Sequence, residues 1–313
     1  MRNRNIAFFT EAGHQRGLGH LIRTATIQRK FQSLGFNTSL YLDSNVNLDK
    51  KIRRINYFSW DTLNPIRRFD IIFIDSYSAA LPVYEKIADS CKTVVYIDDY
   101  RRIEYPRGII LNFAPDAEKY FYYEKKEKHT HLLGINYVPL REKLLTINRK
   151  TEESIFIMLG GNDIKNLTLE IVETIKNLPL KKFVVTNNVN TVEQLNRYLG
   201  VSVLHNPSDK HLFDAMCKSK VAISTASMGA YELAYLKIPT IILAVSQNQV
   251  GGIPQYINHN LAQKMVSIEV ATWKQNLLSH VKNLCAPDNQ FIENKLDGSG
   301  TDNIVKSVLQ LAS

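Results

Sequence analysis

Short continuous apolar runs alternate along this chain with stretches whose apolar residues recur every three or four positions. Ile6–Phe9 reads as a first strand, and Leu21–Leu34 has helical spacing that stops at Gly35. Asn37–Leu42 is the next strand. Asp70–Ile74 is apolar after its first residue, as expected for a strand buried on both faces. Ala79–Ala88 predicts a helix, and Thr93–Ile97 and Ile109–Leu111 predict strands. From Ser154 the alternation begins again. Ser154–Met158, Lys182–Thr186, Val201–Leu204, Lys220–Ile223 and Pro239–Val245 read as strands. Leu167–Leu178 and Gly229–Leu236 read as helices, and two or three more close the chain, the last over Gly300–Leu311.

Strand–helix alternation in both halves predicts an α/β protein of two doubly wound, Rossmann-like domains with mostly parallel sheets. The charged stretch Arg141–Glu153 lacks apolar periodicity and marks the boundary. The expected domains are residues 1–148 and 149–296, with 297–313 a closing helix free to return to the first domain. Two such domains facing each other frame a central cleft. Ligands of open α/β sheets sit beyond the carboxyl ends of the strands, so the residues just after each strand are the ones to search.

A length of 313 residues suits two domains of roughly 150 each. The 44% hydrophobic composition suits a packed protein and excludes a disordered one. The longest apolar runs fall far short of the roughly 18 residues of a membrane span. Glu11 ends the first apolar run too early for a signal-peptide core, so the cytoplasm is expected. Cys91, Cys217 and Cys285 are far apart and read as free thiols, not a zinc site. The net charge of +9 is uneven. Residues 1–150 hold 25 Lys+Arg against 16 Asp+Glu, and residues 151–313 hold 14 of each. That excess reads as ordinary surface, as attraction for an anionic ligand, or as contact with acidic lipid. Nucleic acid is not expected, since no helix carries a dense Arg/Lys stripe.

The polar residues at strand ends carry the candidate chemistry. Gly17 and Gly19 allow a tight turn and close backbone approach to a ligand, and Arg23 follows one turn later. His20 falls at the start of the first helix, where the dipole favours an uncharged imidazole that can serve as general base. Asp75-Ser76-Tyr77 follows the fourth strand, and Asp98-Asp99 the fifth. Asp75 offers a ligand contact or a helix cap, Tyr77 a hydrogen bond to a sugar or water, and Asp98 a further contact. No Asp-x-Asp occurs, so no catalytic metal and no cofactor are expected.

In the second half, Gly160-Gly161-Asn162-Asp163 exposes backbone N–H groups after a strand. Ser227, Met228 and Gly229 lead into a helix N-terminus suited to a diphosphate, and Glu232 is placed for two ribose hydroxyls. Asn248 and Gln249 offer carboxamides to hydroxyls, acetamido groups and water.

In this order, these segments resemble the UDP-sugar hydrolases of pseudaminic acid biosynthesis (the PseG family), related to GT-B glycosyltransferases of the MurG type. Three blocks carry the resemblance: Gly17–Arg23, Gly160–Leu167, and Ser224–Glu232 followed by Asn248-Gln249. Asp75, Tyr77, Asp98-Asp99 and Leu140-Arg141 fit between them. The resemblance implies a GT-B-like fold and hydrolysis of UDP-2,4-diacetamido-2,4,6-trideoxy-β-L-altropyranose with inversion. It matches His20 to the base, Tyr77 and Asn248 to polar groups near sugar and water, Glu232 and its helix start to the UDP site, and Arg141 to the substrate. Arg141-Glu142-Lys143-Leu144 departs from the family's Arg-x-Glu-Phe, and Asn162 stands where Ser or Thr is common. Met228 is bulky for a phosphate turn, which points to a backbone contact. A monomer whose partner is a small UDP-sugar is expected, without membrane insertion. An inverting glycosyltransferase and a non-catalytic nucleotide-sugar-binding protein are the alternatives.

Overall fold

The uninterrupted apolar runs are the central strands of two sheets. The computed structural model describes residues 4–13, 16–48, 54–63, 69–124, 128–160, 163, 165–245, 252–286, 291 and 293–312. The chain divides into residues 1–141 with 297–313, and residues 142–296. The division falls between Arg141 and Glu142, at the start of the charged stretch.

The first unit holds β1 (Asn5–Ala12), α1 (Gly19–Ser33), β2 (Asn37–Ser44), β3 (Ile55–Phe58), β4 (Ile71–Asp75), α2 (Leu81–Ser90), β5 (Thr93–Ile97), β6 (Gly108–Asn112), α3 (Ala117–Tyr120) and β7 (His129–Leu133). Among the described residues its sheet runs β3-β2-β1-β4-β5-β6-β7, every neighbouring pair parallel. The strand order reverses between β1 and β4. That topological switch point is where a doubly wound sheet opens a crevice at its carboxyl edge.

The period of two along each strand sorts side chains between the faces. The register pairs Thr10 with Asp75 and Asp75 with Ile97. Phe8 and Phe73 stack on one face and pack against Phe31 of α1. Ala7, Phe9, Ile72, Ile74 and Tyr96 line the other face with Tyr84 and Ile87 of α2. Asp75 shares the parity of Phe73 and belongs to the α1 face. Glu11, Ser76 and Asp98 share the parity of the α2 face.

The second unit holds α4 (Glu142–Leu145), β8 (Ser154–Met158), α5 (Leu167–Ile175), β9 (Lys181–Thr186), α6 (Val189–Leu195), β10 (Val201–His205), α7 (Asp209–Lys218), β11 (Val221–Thr225), α8 (Met228–Tyr235), β12 (Thr240–Ala244), α9 (Ile253–Asn258), β13 (Lys264–Ser267) and α10 (Trp273–Leu284). Its sheet runs β10-β9-β8-β11-β12-β13 among the described residues, again parallel, and reverses between β8 and β11.

The C-terminal helix α11 (Gly300–Leu311) packs in the first unit. The Asn303 side chain donates to the Asn136 carbonyl at 2.9 Å, and Lys30 of α1 pairs with Asp302 at 2.6 Å. Gly300 permits this docking, since a Cβ there would stand 2.1 Å from the Val138 carbonyl oxygen.

Three strands escape the apolar pattern: Ile55–Phe58, His129–Leu133 and Lys264–Ser267. All three are sheet edges, only part-buried and polar enough to break the run. No helix of the described residues is long and apolar enough to cross a membrane. The three cysteines are free, Cys91 and Cys217 buried and Cys285 partly so.

Candidate active site

At the switch point of the first unit, the N-terminus of α1 meets the ends of β1, β4 and β5. Gly17 sits at φ +69° and is tied to Gly13 by paired backbone hydrogen bonds of 2.8 and 3.1 Å. This closes the turn that starts α1 at Gly19, and a Cβ on Gly19 would meet open space. His20 and Arg23, three residues apart on α1, then face Asp75.

Asp75 is fully buried and its carboxylate takes four donors. His20 Nδ1 lies 2.5 Å from Oδ1. Arg23 grips both oxygens at 2.6 Å, and Thr24 Oγ1 donates to Oδ2 at 3.0 Å. Burial opposes the charge, but Arg23 and then His20 outweigh it and hold the Asp75 pKa well below the usual carboxylate range. An ionised carboxylate only accepts hydrogen bonds. In the neutral form of His20 the proton therefore sits on Nδ1 and the lone pair on Nε2. Arg23 Nη2, 3.0 Å from His20 Nδ1, is a second donor converging on the same Asp75 oxygen.

Arg23 also holds Asp99 in a fork, at 2.8 and 3.0 Å from Nη1. Burial of Asp99 is outweighed by Arg23, so its pKa lies below the ordinary value. The Tyr77 hydroxyl donates to Asp99 Oδ2. Tyr77 is 45% exposed overall, but its hydroxyl end lies among these groups. Burial there, then the Asp99 charge, push its pKa above the phenol range, so it stays protonated. Its ring stands edge-on to His20, with centroids 4.4 Å apart at 82°.

Sequence reasoning placed Asp98 among the ligand contacts; the structure turns it away. It is 1% exposed and accepts from the Tyr105 and Tyr122 hydroxyls at 2.7 and 2.5 Å and from the Arg101 and Arg102 amides. The strand alternation explains this: Asp98 lies on the α2 face, and its neighbour Asp99 returns to the side of α1. Glu11 went unrecognised. It is 1% exposed at the end of β1 and accepts from Trp60 Nε1 at 3.1 Å, the Tyr77 amide at 2.9 Å and the Ser76 and Ser78 hydroxyls. Burial opposes its charge, and the hydrogen bonds from Ser76, Ser78 and Tyr77 overcome this and lower its pKa. Glu11 thus ties down the turn that carries Tyr77. Its place in the sequence, a carboxylate near the end of an apolar strand, was a usable signal; the Ser76-Tyr77-Ser78 turn it holds is brought to it only by the fold.

In the second unit, Gly160 follows β8 at φ +87° beside Thr225 of β11. Asp163 serves the helix that follows. Its two oxygens accept the Leu167 and Thr168 amides at 2.8 and 2.7 Å, so it caps α5. Ser227 precedes α8, which starts at Met228. Gly229 lets the helix start pack on β8, since a Cβ there would stand 2.1 Å from Met158 Cε. Glu232 is 2% exposed and is not a solvated helix-start residue. Arg141 is buried at the end of the first unit's main segment. Gly161, Asn162, Asn248 and Gln249 lie outside the described residues. Among the described residues, no group of three or more His, Cys, Asp or Glu is arranged to hold a metal ion.

No protein-family profile matches this chain. A Helicobacter pylori protein named pseudaminic acid cytidylyltransferase and UDP-2,4-diacetamido-2,4,6-trideoxy-β-L-altropyranose hydrolase is 25% identical over 290 residues, 90% of this chain and 52% of that protein. The Campylobacter jejuni protein named UDP-2,4-diacetamido-2,4,6-trideoxy-β-L-altropyranose hydrolase is 22% identical over 274 residues, 78% of this chain and 93% of that one. The chain spans about half the length of the Helicobacter relative and of a Methanocaldococcus jannaschii relative, 52% and 56%. Among solved structures, Acinetobacter baumannii MurG superposes with a TM-score of 0.63 at 12% identity, covering 98% of this chain and 99% of that one. Staphylococcus aureus MnaA with UDP gives 0.68 at 12%, covering 98% and 97%. At that identity the likeness shows the fold alone: α/β, GT-B-like, with two doubly wound parallel-sheet domains. The likeness to the two named hydrolases rests on the sequence matches, which extend over 90% and 78% of the chain.

Proposed function

We propose that this relative of those hydrolases is itself a nucleotide-sugar hydrolase. Its substrate in this reading is UDP-2,4-diacetamido-2,4,6-trideoxy-β-L-altropyranose. The observation that carries the proposal is the His20–Asp75 contact of 2.5 Å, with Arg23 on both Asp75 oxygens. It presents a histidine in one tautomer with Nε2 available as a base. Such a carboxylate–histidine pair orients the ring and stabilises the imidazolium that forms.

In the proposed reaction a water oxygen attacks C1 of the sugar. The C1–O bond to UDP breaks, and its electron pair leaves with the diphosphate. Attack opposite the leaving group inverts C1. The water proton passes to His20 Nε2. The surroundings suit this transfer: one Arg23 cation lies between the Asp75 and Asp99 anions. One negative charge is left uncompensated until the imidazole takes up the proton. Tyr77, fixed by Asp99 and edge-on to His20, borders the reacting water. The second unit is assigned the leaving group, with the α8 N-terminus for the diphosphate and Glu232 for the ribose. Asn248 is assigned to the sugar and water by resemblance. The reading routes no step through a metal.

Incubation of the UDP-sugar without any acceptor tests the proposal. Equimolar UDP and free sugar are expected, and proton NMR should show the product anomer inverted. A His20→Ala variant should lose about 10²–10⁴-fold in kcat and keep its affinity for UDP. UDP release only when an acceptor is added would make the protein a glycosyltransferase. Normal turnover by the variant would remove His20 as the base.

A further inference from the structure

An exposed aromatic ring borders the proposed base, a second packs on it, and the mechanism uses only the first. Tyr77 and Tyr100 are 45% and 50% exposed. Their centroids lie 5.5 Å apart, with the planes at 60°. Tyr77 is fixed through its side chain, and Tyr100 through its backbone neighbours. Tyr77 is tied by its hydroxyl to Asp99 and by its amide to Glu11. Tyr100 follows Asp99, which Arg23 clamps. It also precedes Arg101 and Arg102, whose amides are held by Asp98 at 2.5 and 3.0 Å. Exposed aromatic surface on a fixed backbone next to a polar reacting centre suits a ligand with an apolar face.

We propose that Tyr100 is a specificity-determining residue. With Tyr77 it forms an aromatic wall that takes the methyl-bearing side of an N-acetylated deoxy sugar. This rests on the hydrolase reading, in which the sugar carries two acetamido methyls and a C6 methyl. Contact with such methyl groups discriminates about 10–200-fold.

The test compares Tyr100→Ala and Tyr100→Phe with the wild type. UDP release from UDP-2,4-diacetamido-2,4,6-trideoxy-β-L-altropyranose is followed, and UDP and the UDP-sugar are titrated by calorimetry. Tyr100→Ala should raise KM about 10-fold or more with kcat within about twofold, because the lost contact is made equally before and in the transition state. Its affinity for UDP should not change, and Tyr100→Phe should behave as wild type because it keeps the ring. An unchanged KM for Tyr100→Ala overturns the proposal. Equal damage from Tyr100→Phe, or a joint fall in kcat and UDP affinity, overturns it too. If the wild type releases no UDP, the hydrolase reading fails instead. The calorimetric affinity for the UDP-sugar still reads the wall in that case, and equal values for wild type and Tyr100→Ala overturn it.

Discussion

Glu11 and Asp75 close neighbouring strands and do different work. Asp75 points to α1, binds His20 and Arg23, and sets the tautomer of the proposed base. Glu11 points the other way and holds the Ser76-Tyr77-Ser78 turn. Its lowered pKa has a consequence for stability. A carboxylate whose folded pKa is depressed stabilises the native state above its unfolded pKa, about 4.3 for Glu, and loses that contribution as pH falls through the folded value. Glu11→Gln should therefore be less stable than wild type near pH 7, by about 1.5–3 kcal/mol for charge-assisted hydrogen bonds. The gap should close as the pH drops from about 5 toward 3. Thermal melts of both proteins across that range check it. A gap independent of pH would mean that the charge of Glu11 is not what holds the turn.

At the scale of elements, close backbone approach decides where the last helix goes. Gly300 of α11 lies against the Val138 backbone, whose carbonyl oxygen, nitrogen and carbon would stand 2.1, 2.7 and 2.8 Å from a Cβ. Backbone atoms cannot swing aside as a side-chain end can. Gly300→Ala should cost about 1–3 kcal/mol by overpacking, with the loss confined to the unit that α11 packs in. Gly19→Ala, whose Cβ meets open space, should leave stability nearly unchanged. Hydrogen exchange, read segment by segment, distinguishes the two. Protection should fall over residues 135–140 and α11 in Gly300→Ala and stay as it was in β8–β13. The same scale accounts for the role of Asp163. Asp163 precedes α5 by four residues, and its carboxylate satisfies that helix's free amides.

Over the whole molecule, the +9 charge lies within residues 1–150, which hold the proposed base, while the half assigned to the nucleotide is neutral. Diphosphate binding is therefore expected to rest on helix N-termini and backbone N–H groups. Under the proposed function, the basic half is expected to attract a dianionic substrate at long range. On this basis kcat/KM should fall several-fold between about 0.02 and 0.5 M salt while kcat holds, since screening affects encounter and not chemistry. Steady-state kinetics across that series measure it, and a flat profile would return the charge to ordinary surface.

The alternation of buried strands and amphipathic helices was legible in the chain itself, because central parallel strands are apolar on both faces and leave an uninterrupted signal. The positions of Asp75 and Tyr77 were legible for a related reason, since polar residues follow such runs at the carboxyl edge of a sheet, and those of His20 and Arg23 because they open the helix after the Gly17–Gly19 turn. Three edge strands were not, because each is half-exposed and polar residues break its apolar run, whereas the edge strand Val201–His205 keeps Val201, Val203 and Leu204 and was legible. The sequence determined which residues reach the end of a strand. Only the tertiary structure decided what each one meets there. Register and the two-residue pleat sent Asp75 and Asp99 toward α1 and Glu11 and Asp98 away from it. That choice depends on the pairing of strands up to 65 residues apart, which local spacing does not record.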